Sequence, residues 1–121
     1  MRNLIIAGLC FVPAFAFAKF INPMDFDGSD AQKNEVIQFI TDNVHKMYCE
    51  GAIDMCQDAT LRMMERQELA SFKKATEATD KNIMKKVIQT YCEGPVDMCS
   101  YSTIVMMYQQ NLKASQQKLE W

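Results

Sequence analysis

The chain has 121 residues, of which 13 are basic and 15 are acidic, so its formal net charge is −2. This mild acidity argues against nucleic acid and anionic membrane surfaces as partners, because phosphate binding needs clustered lysine and arginine. At this length one small core can form, and small exported domains often add disulfides to stabilise such a core.

Residues 1–18 have the pattern of a secretory signal peptide. Arg2 gives a positive start, residues 4–17 are apolar, and small residues precede a cleavage site after Ala18. The apolar run is shorter than the roughly 20 residues of a membrane-spanning helix, and Pro13 interrupts it. We expect cleavage after Ala18, a periplasmic or secreted location, and no stable membrane insertion afterwards. Arg2 is the only charged residue removed, so the mature chain has a net charge of −3.

Residues 19–29 show no helical period and contain Pro23 and Gly28, which predicts an extended N-terminal arm. Apolar residues of this arm can still dock on the rest of the domain. Ser29 and Gln32 have the spacing of a capping box, so the first helix is expected to begin near residue 30.

A block with two cysteines occurs twice in the chain, at residues 48–56 and again at residues 91–99. Both copies have Glu-Gly after the first cysteine and Asp-Met before the second. A repeat at this period usually represents one supersecondary unit used twice. We therefore expect a single helical domain over residues 30–121, made of two repeats at about 30–75 and 76–121.

Each repeat is predicted to form a helix, a tight turn and a second helix, because apolar residues recur at helical spacing on both sides of the block. Gly51 and Gly94 suit the left-handed position just past a helix end. Asp54 and Asp97 suit capping positions for the helices that follow. The predicted fold is thus an all-α, four-helix domain built from two duplicated helix-turn-helix hairpins.

Four cysteines remain after cleavage, namely Cys49, Cys56, Cys92 and Cys99. In an oxidising compartment the spacing favours one disulfide per hairpin, Cys49 with Cys56 and Cys92 with Cys99. Pairing across the repeats is the competing connectivity. A structural zinc site and a redox-active thiol pair are two other interpretations of these cysteines. Both are less favoured, because zinc ligands and redox thiols are usually closer together in sequence than the cysteines of either pair.

The mature chain retains nine methionines, which allow two interpretations. Methionine and cysteine are soft ligands that suit copper(I), and methionine also fills irregular gaps in a core. The copper candidates are Met55, Met63, Met98 and Met106. The core candidates are Met47, Met64, Met84 and Met107. We favour core packing and expect no cofactor and no metal.

No catalytic arrangement is recognisable in the sequence. The single histidine, His45, is expected to be a solvated helix residue without a neighbour that would make it a base. The acids Glu50 and Asp54 are explained as a turn residue and a cap. A basic patch near the junction of the repeats fits a solvated surface. Its members are Lys73, Lys74, Lys81, Lys85 and Lys86. We therefore expect that the protein is not an enzyme.

The sequence is best interpreted as a small exported helical binding protein, an inhibitor, immunity-type or modulator protein that acts on another periplasmic or secreted protein. The architecture is similar, in general terms only, to that of exported immunity proteins and enzyme inhibitors. The candidate contact sites are the two Glu-Gly turns, Glu50-Gly51 and Glu93-Gly94. Alternatives are a periplasmic copper-binding protein with methionine and cysteine ligands, or a structural component of an envelope assembly. A homodimer is also compatible with the sequence.

Overall fold

A computed structural model of the protein describes residues 19–95 and 97–121, and within these ranges the chain is all-helical, with no strand. A short 3₁₀ turn precedes four α-helices. The elements are the turn at Pro23–Asp25, α1 at Asp30–Cys49, α2 at Asp58–Ala75, α3 at Lys81–Cys92 and α4 at Tyr101–Ser115. The predicted all-α, four-helix fold is confirmed. The predicted signal peptide, residues 1–18, lies outside the described residues.

The four helices form two adjacent hairpins that meet along one helix pair. Helix α1 packs on α2, α3 packs on α4, and α2 packs on α4 to join the hairpins. There are two core clusters: the first is built mainly from α1 and α2 and includes Tyr101 of α4, and the second is built mainly from α3 and α4 and includes Ala75 of α2. The buried members are Ile21, Val36, Ile40, Val44, Leu61, Phe72 and Tyr101 in the first, and Ala75, Met84, Val87, Ile88, Ile104, Val105 and Tyr108 in the second. That the hairpins are duplicates stays a prediction.

The N-terminal arm packs on the first core cluster, where Tyr101 of α4 holds it. Ile21 is buried, and its backbone forms two hydrogen bonds with the Tyr101 hydroxyl, which donates to the Ile21 carbonyl at 3.0 Å and accepts from the Ile21 amide at 3.3 Å. The Phe20 ring stacks on the Tyr101 ring at 5.3 Å, and the Phe72 ring meets Tyr101 edge-on at 4.8 Å. The Tyr101 hydroxyl thus satisfies the buried backbone groups of Ile21. Because Ile21 and Phe20 also pack in the first core cluster, the arm completes that cluster.

The predicted caps at Asp54 and Asp97 are wrong. Helices α2 and α4 begin four residues after these aspartates, with Gln57 and Ser100 at their N-cap positions, and only Ser100 supplies a side-chain acceptor. The Asp54 carboxylate instead accepts from the Cys56 amide at 3.2 Å, inside the turn. The reason is that each helix begins only after a non-helical segment that ends at the N-cap residue, so a carboxylate three residues before that N-cap does not reach the first helical amides.

The prediction that Gly51 and Gly94 adopt the left-handed conformation is also wrong. Among the described residues, only Gly28 has a positive φ, at 77°. A Cβ atom at Gly51 would lie 2.7 Å from the Met47 carbonyl oxygen, and one at Gly94 would lie 2.6 Å from the Thr90 carbonyl oxygen. Glycine is therefore required at both turns because the backbone passes too close to the end of the preceding helix for any side chain.

Candidate functional site

Each hairpin is closed by a disulfide across its turn. Cys49 is bonded to Cys56 and Cys92 to Cys99, with Cα atoms 4.5 Å apart in both pairs. The predicted local connectivity is confirmed, and these sulfur atoms are not thiolate ligands for a metal. Two such bonds fit a protein of an oxidising compartment. We call residues 49–56 the first staple loop and residues 92–99 the second staple loop.

Backbone hydrogen bonds reinforce both staple loops in the same way. The Met55 amide donates to the Tyr48 carbonyl at 3.1 Å, and the Met98 amide donates to the Tyr91 carbonyl at 3.3 Å. Each bond joins the end of a loop to the last turn of the preceding helix, alongside the disulfide. The two constraints together limit how far the ends of each loop can move apart, which lowers the conformational entropy that binding would cost.

The two staple loops border one cleft of about 670 Å³, which we call the staple cleft. It lies where the end of α1 faces the middle of α2 and the beginning of α4. Helix α1 and the first loop contribute Asn43, Lys46, Met47, Tyr48, Glu50 and Gly51. The second loop contributes Asp97, Met98 and Cys99, and the walls from α2 and α4 include Met64, Gln67, Glu68, Ser102 and Thr103.

Two polar contacts tie α1 to the second staple loop across this cleft. The Asn43 side-chain amide donates to the Cys99 carbonyl at 3.1 Å, and the Lys46 Nζ atom lies 3.5 Å from the Asp97 Oδ2 atom. The Lys46–Asp97 pair is exposed, so it contributes little to stability. The amide contact is partly buried and fixes the register of the two hairpins at this end.

Glu68 closes the inner wall of the staple cleft. Its carboxylate is buried and accepts from the Tyr101 amide at 2.8 Å and from the Ser102 amide at 3.3 Å. A carboxylate at this position satisfies the free amides at the start of α4 and interacts favourably with the helix dipole. Both carboxylate oxygens are engaged, so Glu68 is a structural acceptor that joins α2 to α4.

The structure separates the two Glu-Gly turns that the sequence treats as equivalent. Glu50 and Gly51 line the staple cleft, whereas Glu93 and Gly94 are not among its lining residues in the described part of the chain. Both glutamates are exposed. The second loop reaches the cleft through Asp97, Met98 and Cys99 instead. The candidate contact site therefore consists of different positions of the two loops.

Exposed apolar side chains line the staple cleft or lie in its bordering loops, and none of them is among the contact residues expected from the sequence. Met47 is 53% exposed and Met98 is 51% exposed, and both line the cleft. Ile53, in the first staple loop, is 72% exposed. The prediction that Met47 belongs to the core is wrong, because Tyr48 packs against the core cluster at this turn of α1. An isoleucine in a turn that a disulfide constrains was the available sequence signal.

The remaining methionine predictions have mixed outcomes. Met84 is fully buried, and Met64 and Met107 pack against the core clusters, as expected. The four copper candidates are about half exposed, but of these only Met98 lines the staple cleft. The fourfold methionine set is therefore not assembled in that cleft.

His45 lies beside the first disulfide and is exposed. Its imidazole lies within 4.8 Å of the sulfur atoms of Cys49 and Cys56. Because these two sulfur atoms are bonded to each other, the imidazole is the one metal-ligating group that this cluster offers in its oxidised form.

Comparisons with protein-family models, with curated proteins and with solved structures found no match to this chain. Among the described residues, no helix has both the length and the apolar character required to cross a membrane.

Proposed function

We propose that the mature domain is an exported binding protein that covers a surface of another periplasmic or secreted protein with its staple cleft. The observation that supports this proposal most is the set of exposed apolar side chains, Met47, Ile53 and Met98, on or beside two disulfide-closed loops. Exposed apolar side chains grouped around a cleft are typical of interaction sites. Loops that are already rigid lose little conformational entropy on binding.

The cleft also defines the chemistry of the partner. Methionine adapts to apolar groups of different shapes, so Met47 and Met98 suit an apolar anchor residue of the partner. Glu50 lies at the cleft without a basic partner within salt-bridge distance among the described residues, whereas Lys46 is paired with Asp97. We therefore expect the anchor residue to be flanked by basic side chains. The net charge of −3 in the mature chain would steer such a partner toward the domain.

Inhibition, immunity or modulation would follow from this contact without any chemistry in the domain itself. A partner whose active or docking surface is covered loses access to its own substrate. The predicted signal peptide would bring the domain to the compartment of a periplasmic or secreted partner, and the disulfides would persist there.

The test uses the two staple loops as each other's control. Tagged mature domain should retain a stoichiometric partner from the envelope or secreted fraction. With that partner purified, Glu50→Lys should slow association on the order of tenfold in a salt-sensitive manner, because it reverses a charge at the cleft. Glu93→Lys is the matched control, since it makes the same charge change outside the cleft.

Both variants should keep the wild-type helical signal and melting temperature, because exposed substitutions usually change stability by less than about 0.5 kcal/mol. Equal association rates for the two variants would remove the staple cleft from the interface. Exhaustive capture without a stoichiometric partner would refute the binding function itself.

A further inference from the structure

A second cleft lies on the first hairpin and shares no lining residue with the staple cleft. It has a volume of about 360 Å³ and lies between the N-terminal arm, α1 and α2. We call it the lysine-flanked groove. Its apolar lining is Phe26, Val36, Ile37, Leu69 and Phe72, and its polar lining is Lys33, Lys73 and Thr76.

The apolar lining has a fixed base and an open side. Val36 and Phe72 are almost completely buried, and the Phe26 ring meets the Phe72 ring edge-on with centroids 5.1 Å apart. Ile37 is 52% exposed and leaves one wall accessible from solvent. The interior therefore offers hydrocarbon contact along its length, and burial of a ligand's methylene groups there is favourable.

The arm supplies the wall at Phe26, and a local hydrogen-bond network fixes this residue. The Asp27 amide donates to the Gln32 side chain at 2.8 Å, and the Ser29 amide donates to the Asp27 carboxylate at 2.7 Å. The Ser29 hydroxyl in turn accepts from the Gln32 amide as the N-cap of α1. The groove is thus a preformed feature of the docked arm.

The charged groups of the groove are both cationic. Lys33 comes from α1 and Lys73 from α2. Lys33 has one weak ion pair, with its Nζ atom 3.9 Å from the carboxylate of Asp30, an almost fully exposed side chain. The pair leaves the Lys33 ammonium available to a ligand. Two ammonium groups beside an apolar interior complement a ligand with a hydrocarbon chain and a negative headgroup.

We infer that the lysine-flanked groove binds a single-chain anionic amphiphile in its free, monomeric form, with the acyl chain against Phe26 and Phe72 and the headgroup at Lys33 and Lys73. The groove volume lies at the lower end of the roughly 300–1,000 Å³ of small-molecule sites. A protein partner, by contrast, usually needs about 800 Å² of buried surface on each side. The groove therefore suits a small ligand better than a protein surface, and this inference is independent of the proposed function.

The first experiment titrates the mature domain with dodecanoate below its micellar concentration, with calorimetry for affinity and amide chemical shifts for location. One dodecanoate should bind per domain, with the largest shifts at residues 26–37 and 69–76. Decanoate should bind about tenfold more weakly, because two fewer methylene groups are buried. Dodecyltrimethylammonium, with the same chain and a positive headgroup, should also bind at least about fivefold more weakly than dodecanoate.

The second experiment reverses the two lysines. Lys33→Glu combined with Lys73→Glu should weaken dodecanoate binding by about tenfold or more and remove its preference over dodecyltrimethylammonium. Lys81→Glu combined with Lys85→Glu is the matched control, because both residues are exposed on α3, outside the groove, and the net charge changes equally. Circular dichroism should show that both double variants are folded.

Four results would overturn the inference. They are no saturable dodecanoate binding, equal affinity for the two headgroups, equal loss in both double variants, and shifts centred on another surface. Binding to vesicles of anionic phosphatidylglycerol without binding of monomeric dodecanoate would replace the free amphiphile by a membrane surface. Binding of a peptide of residues 116–121, whose Leu119 and Trp121 are fully exposed, without binding of dodecanoate would replace it by a second copy's tail.

Discussion

Replacement of Tyr101 by phenylalanine tests how firmly the arm is held. The substitution keeps the ring contacts with Phe20 and Phe72 and removes only the hydroxyl that bonds both the amide and the carbonyl of Ile21. Ile21 and Tyr101 are buried, so water does not readily replace the lost partner. A buried donor or acceptor left unpaired costs about 1–3 kcal/mol. The substitution leaves both the amide and the carbonyl of Ile21 without this partner, so it should lower the free energy of unfolding by about 3 kcal/mol.

For a domain of this size, such a loss lowers the melting temperature by roughly 10–20 °C. Thermal and urea unfolding of Tyr101→Phe should be compared with Tyr108→Phe. The Tyr108 hydroxyl accepts from the amides of Thr79 and Asp80 in a partly exposed turn, where water can replace it, so about 1 kcal/mol is expected there. Equal losses in the two variants, or a stable Tyr101→Phe protein, would refute the argument that the arm depends on this hydroxyl.

The same residue should make the protein sensitive to alkali. Burial raises the pKa of the Tyr101 phenol, the hydrogen bond that the hydroxyl accepts from the Ile21 amide partly opposes this rise, and the negative charge of Glu68 raises the pKa further. In the unfolded chain the phenol ionises near its ordinary pKa of about 10, while the native phenol stays protonated. The stabilisation is therefore complete below about pH 10 and declines as the pH rises further. Urea midpoints measured between about pH 8 and pH 11 should fall less steeply in Tyr101→Phe.

Three further outcomes are expected. Glu68→Gln should lower the free energy of unfolding by about 1–2 kcal/mol in urea titrations, because α4 loses a charged acceptor at its first amides, whereas Glu77→Gln at an exposed position should change it by less than about 0.5 kcal/mol. Gly51→Ala and Gly94→Ala should each lower the melting temperature, since the new Cβ atom would meet a backbone carbonyl oxygen, and unchanged unfolding curves would contradict this reason for glycine. Intact mass of the exported protein should correspond to a chain that begins at Lys19, and a product that retains residues 1–18 would refute the predicted cleavage.

Local sequence patterns were sufficient to predict the helices and the disulfides. The apolar period around each cysteine block is a property of a single helix, and a disulfide across a short turn depends on few residues. The helix starts were less predictable, because Asp54 and Asp97 have the right chemistry for caps but lie three residues before the observed N-cap residues, Gln57 and Ser100. Chemistry alone does not specify where the backbone first becomes helical.

The staple cleft could not be predicted in the same way, because it depends on how α2 packs on α4. One signal for that packing was nevertheless present in the sequence. Glu68 occupies the apolar stripe of α2, between Leu61 and Phe72 at helical spacing. A carboxylate in such a stripe requires donors from another element, and these are the amides of Tyr101 and Ser102. The donors themselves were not identifiable, because every residue except proline has a backbone amide and the residue type does not show which amides lack a partner.

The bonds between Ile21 and Tyr101 also impose an order on the formation of the fold. The two residues are 80 positions apart, and the arm is synthesised before α4. The backbone groups of Ile21 therefore remain without this partner until α4 has been made. Until α4 emerges, the first hairpin lacks the ring that Phe20 and Phe72 pack against. A nascent chain that ends before residue 101 therefore leaves the base of this core uncovered, and the first hairpin becomes complete only when the second one joins it.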